Sequence, residues 1–130
     1  MRLRWRVVAI IALIFVNDAL PAVTPSSYED ALVIWERSKD TAAYQAYAGN
    51  FSQFNNRLHL DERDGCYVLA PGPVNLMLVI THSGNDQFAV IDEVLSNVNN
   101  AKARCFERTY RGVRTKIPPF VPFVLQMGMQ

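Results

Sequence analysis

The chain has 130 residues, half of them hydrophobic, with 13 Lys and Arg against 12 Asp and Glu and a formal net charge of +1. That near balance, without a clustered positive excess, argues against a nucleic-acid binder and against a polybasic membrane-surface protein. The length suits one domain and not two.

Residues 1–22 read as a secretory signal peptide. Arg2, Arg4 and Arg6 form a basic start, 7–16 is an unbroken apolar run, and 17–22 supplies a polar break that ends in the small residue Ala22. The run falls short of the roughly 20 apolar residues that a membrane-crossing helix needs, so cleavage after Ala22 is expected rather than retention as an anchor. The remaining domain, 23–130, carries ten basic and eleven acidic side chains. It would fold in an oxidising compartment, where Cys66 and Cys105 are expected to pair. Their bridge closes a loop of about 40 residues, for which chain entropy gives roughly 4 kcal/mol. A redox-active pair would more commonly be C-x-x-C.

After a short leader, 23–27, Ser27 is an N-cap with Asp30 as its capping-box partner. Ala31, Leu32, Ile34 and Trp35 then predict a helix ending near Ser38 and Lys39. Asp40 is the expected cap of a second helix. In it Tyr44, Tyr47, Ala48, Phe51, Phe54 and Leu58 recur at steps of three and four as far as about His59. Gly49 and Asn50 are the place where that helix would break. The aromatic stripe is expected to pack in the core rather than to line a ligand groove.

Residues 61–65 (DERDG) read as a charged turn and 66–69 as a short strand. The breaker cluster 70–73 (APGP) precedes a clean alternation over 74–81. Val74, Leu76, Leu78 and Ile80 take one face, and Asn75, Met77, Val79 and Thr81 the other. HSGND at 82–86 is turn chemistry and 88–95 resumes an extended apolar run, which together predict a β-hairpin. The alternation slips at Asp92 and Glu93, where a bulge or strand end is expected.

Asn99 or Asn100 can cap a last helix over 101–111, closed by Gly112 at the C′ position. Ala101, Cys105, Phe106, Thr109 and Tyr110 share one broad side of it. Arg104, Glu107, Arg108 and Arg111 share the other, which reads as a solvated surface rather than an anion site. Three prolines exclude 116–122 (KIPPFVP) from a helix or a central strand. Val121, Phe123, Leu125, Met127 and Met129 then alternate in a final strand. Such a strand commonly lies at a sheet edge, where unpaired backbone groups can recruit another chain.

Catalytic signatures are missing: the sequence holds no G-x-S-x-G elbow, no H-E-x-x-H and no paired-cysteine metal site. His59 with Asp61, Glu62 and Asp64 could collect a cation, but the ligand spacing of a calcium loop is not met. His82 sits in a turn with no acid or oxyanion donor specified beside it. A non-enzymatic protein with no metal and no small-molecule cofactor is expected.

From residue 74 onward a family comes into view. Val74-Asn-Leu76-Met-Leu78-Val-Ile80 followed by Gly84, a helix carrying Ala103 and Cys105, then Ile117-Pro118-Pro119-Phe120 and a last strand resembles the C-terminal domain of TonB and related periplasmic modules, over roughly 66–129. The resemblance implies an α+β fold with a small antiparallel sheet in the order strand, strand, helix, strand. The N-terminal helical segment 28–59 would pack beside this sheet-and-helix core, 66–130. It further implies a periplasmic location and strand addition at the sheet edge. The expected partner is another envelope or exported protein met by Phe120, Phe123 and Val124, with the membrane involved only if 1–22 is retained. The sequence shows no long proline-rich spacer after the apolar run, so binding rather than energy transduction carries over. Two alternatives stand beside it. One is an immunity or inhibitor protein that blocks an exported toxin or hydrolase through a protruding loop, 61–65 or 82–86. The other is a membrane-anchored transducer component.

Overall fold

The computed structural model describes residues 23–57 and 61–130, with side chains for 23–56 and 63–130. The expected signal peptide and its cleavage point lie outside the described residues.

Helix α1, Tyr28–Ser38, begins where the Ser27 hydroxyl accepts the Asp30 N–H at 3.1 Å. Glu29 and Asp30 fall in its first turn, where the helix dipole favours negative charge. Helix α2, Ala42–Arg57, runs unbroken through Gly49 and Asn50. Its cap is Thr41 and not Asp40, because the Thr41 hydroxyl accepts the Tyr44 N–H at 3.2 Å and its carbonyl accepts the Gln45 N–H at 3.1 Å. The expected extension through Leu58 to His59 lies outside the described residues.

The segment expected as a charged turn is a short helix instead, α3, Asp61–Cys66. Cys66 closes it, buried, and 67–73 is turn rather than strand. Tyr67, Val68 and Leu69 are strand formers without a ladder: the Leu69 N–H turns back to the Cys66 carbonyl at 3.2 Å, and two prolines follow that have no donor to give.

Strands β1, Val74–His82, and β2, Ala89–Ser96, form the expected antiparallel hairpin. Their register passes from Val79↔Glu93 to Ile80↔Ile91, which leaves Asp92 as the extra residue of a bulge. Helix α4, Ala101–Tyr110, is capped by Asn100, whose side chain accepts the Ala103 N–H at 2.9 Å. It gives way at Gly112, whose φ of 83° a residue with a Cβ rarely adopts. The two-residue strand β3, Arg114–Thr115, pairs with Ala89 and Val90. Strand β4, Phe123–Met129, starts two residues after Val121, where the alternation would begin it.

The four strands lie in the order β3-β2-β1-β4, antiparallel throughout, so the fold is α+β and β4 is an edge. The two N-terminal helices do not pack together beside the core. α1 covers one face of the sheet, with Ala31 against Met77, Val79 and Val124. α2 and α4 cover the other, with Tyr44, Phe51, Phe106 and Tyr110 over Leu76, Leu78, Ile80, Phe123 and Leu125. Both faces of β1 are therefore dry, Met77 and Val79 included. Each such side chain contributes about 1.5–3 kcal/mol by leaving water. On α4 the buried stripe is Lys102, Ala103, Phe106 and Tyr110, and Ala101, expected inside, is exposed.

Candidate partner-binding site

Backbone directions at the β4 edge follow from one pair of hydrogen bonds. The Asn75 N–H donates to Asn97 Oδ1 at 2.9 Å, and the Asn75 carbonyl accepts the Asn97 N–H at 3.1 Å. Asn75 thus turns its backbone groups toward the β2 side. Alternation turns Leu76, Leu78 and Ile80 toward β4, where they stand opposite Met127, Leu125 and Phe123. Val124, Gln126 and Gly128 then direct their N–H and C=O groups away from the sheet.

The side chains expected to meet a partner are mostly elsewhere. Phe123 is 0% exposed, stacked on Tyr44 at 5.1 Å between ring centroids and tilted against Tyr47 at 4.5 Å. Val124, expected at the surface, is 0% exposed on the opposite face, under α1. Helices on both sides of β4 bury Phe123, Val124 and Leu125, while Gln126 and Gly128 beyond them stay exposed. Phe120 remains accessible, 36% exposed, with its ring 5.0 Å from Phe123. It borders an open groove of about 370 Å³ with Val23, Ile34, Arg37 and Pro122.

The most prominent apolar loop is one that the sequence reading did not single out. Val68 is 84% and Leu69 48% exposed, on the turn that leads into β1. Cys66 at its base is at disulfide distance from Cys105 of α4, with Cα atoms 5.4 Å apart, so the bridge links two helices rather than a helix to a strand. The Tyr67 ring meets Phe106 edge-on at 5.0 Å, and its hydroxyl donates to Met129 Sδ at 3.7 Å. Lys102, buried, donates from Nζ to the Gly72 carbonyl at 2.7 Å and stands 5.8 Å from the Tyr67 ring. A carbonyl and an aromatic face offset part of the cost of burying that ammonium. The sequence signal for this loop was a Val-Leu pair lying between a cysteine and Pro-Gly-Pro, which no periodicity reveals.

Buried polar groups serve packing. The Tyr110 hydroxyl donates to Asn55 Oδ1 at 3.0 Å, and Arg63 Nη1 reaches the Asn55 carbonyl at 3.5 Å, which ties α3 to α2 and α4. Burial raises the Tyr110 pKa against the opposing pull of Arg63, and the hydrogen bond to Tyr110 raises that of Arg63. Tyr47 donates to the Lys116 carbonyl at 2.7 Å, and burial raises its pKa too. His82 is exposed at a rim shared with Gly84, Asn85, Asp86 and Ile117.

Among the described residues no three His, Cys, Asp or Glu side chains gather to hold a metal ion. Asp64 is exposed, while His59 and the side chains of Asp61 and Glu62 lie outside the described residues. No helix among the described residues is long and apolar enough to cross a membrane. The chain matches no protein-family model, no curated protein and no solved structure.

Proposed function

We propose that the chain is an exported, non-enzymatic module of the periplasm that receives an extended segment of another envelope or exported protein along the β4 edge. The edge itself carries this reading. Val124, Gln126 and Gly128 face outward, no strand lies beyond them among the described residues, and main-chain pairing there would supply affinity. The order of hairpin, helix and edge strand supports the resemblance to the TonB C-terminal domain. Gly128 supports it as well. A Cβ added there would meet only Asn75 Oδ1, at 3.6 Å, so internal packing does not demand a glycine, whereas an approaching backbone gains room from one.

Two measurements test the reading. N-terminal sequencing of the protein from its host should begin at or near Val23, and Met1 in a membrane fraction would overturn export. A partner captured from a periplasmic extract is then titrated against wild type, Gly128→Pro and Val68→Asp. Gly128→Pro removes one outward N–H and should weaken binding about fivefold or more, with circular dichroism unchanged. Binding that survives Gly128→Pro but is lost in Val68→Asp favours a second reading, an inhibitor or immunity protein whose projecting loop enters its target. The prominence of Val68 on a loop held at both ends is the observation behind it.

A further inference from the structure

We propose that Trp35 and Tyr44 form a latch across the β4 edge, closing its middle to an incoming strand until the corner between α1 and α2 lifts. The inference rests on the strand-addition reading and adds its regulation. α1 and α2 lie on opposite faces of the sheet, joined through residues 39–41. Trp35 packs against both core clusters, so its indole stands where the two faces meet. Its Nε1–H donates to the Tyr44 hydroxyl at 2.9 Å. The Tyr44 ring is stacked on Phe123, the first residue of β4, from the far face. Its hydroxyl reaches the edge, where it faces the Gln126 backbone N–H. Lys39 holds the corner down, with Nζ 4.7 Å from the Trp35 ring and 2.8 Å from Glu36.

Gln126 is the central one of the three outward-facing residues, so an added strand must pair with it. With the Tyr44 hydroxyl beside that N–H and tied to the Trp35 indole, pairing can begin at Gly128 but not continue. Lifting the corner breaks the Trp35–Tyr44 hydrogen bond and bares the indole, a local opening rather than unfolding.

Tyr44→Phe keeps the ring on Phe123 and removes the oxygen, and adding Trp35→Phe removes the indole donor as well. Amide hydrogen exchange on the folded chain follows Gln126, while a synthetic peptide of sequence 123–129 flanked by lysines serves as the strand probe. The latch predicts that Gln126 exchanges about fivefold faster in Tyr44→Phe, with Leu125 and Met127 unchanged. It also predicts that the peptide binds the double variant about tenfold more tightly than wild type. Unchanged exchange at Gln126, or equal peptide affinity for wild type and variant, overturns it. Equal and measurable affinity would leave strand addition standing, whereas binding to neither protein would remove strand addition along with the latch.

Discussion

Phe123 lies between Tyr44, Tyr47 and Phe120, and truncating it would open a void beneath all three rings. Phe123→Ala should cost about 3–5 kcal/mol in urea unfolding, a core loss rather than a selective loss of binding. Phe120→Ala should cost less than half as much, since that ring keeps a third of its surface in water. Alternation along 121–129 separates the two faces of a strand, but it does not say which face is wet, and here both are dry over Phe123, Val124 and Leu125 while Gln126 and Gly128 are exposed. Burial raises the pKa of Tyr44, Tyr47 and Tyr110 above the ordinary tyrosine value. A folded-state pKa above the unfolded one keeps the proton on the folded chain. The corresponding stability is complete below about pH 10 and is lost as pH rises through the raised values. Melting temperature should hold from pH 8 to about pH 10 and fall by pH 11. A flat profile across that range would contradict the burial of these hydroxyls.

At the scale of elements, the capped helices and the hairpin were legible because their signals are local. Ser27 and Asn100 cap, Gly112 stops, and Asp92 breaks a period of two. α3 was not legible, since a helix of six residues with Gly65 inside carries too short a period and is held by packing rather than propensity. Its hold is the Cys66–Cys105 pair together with Arg63 against Asn55. Cys105→Ser should therefore lower stability by about 2–4 kcal/mol. Thiol labelling of denatured, unreduced protein should detect no sulfhydryl, and two labelled thiols or an unchanged melting temperature would refute the bridge. β3, with two residues, lies below the length at which alternation can be read. The side of the sheet taken by α1 depends on which face still needs cover, and Met77 and Val79 on the second face of β1 were the available hint.

Across the whole molecule, β4 belongs to both ends of the chain order. It is the last strand, yet the first two helices cover its opening residues from both faces, and the hydrogen bond from Tyr47 to Lys116 spans 69 residues. The candidate site inherits that arrangement, since the edge offered to a partner is crossed by a corner built some 80 positions earlier. The position of the edge strand was readable from sequence, and the corner over it was not, because it arises from helices splitting to opposite faces.

Vectorial synthesis gives this wiring a consequence in time. The ribosome delivers α1 and α2 first, and their apolar stripes have no surface to rest on while the hairpin and α4 are still being made. Closure over such separations is slow because loop entropy must be spent before the contacts form. A nascent chain that has not reached β1 therefore carries two bare amphipathic helices, the kind of surface that chaperones hold, and their cover is completed only when the final strand arrives.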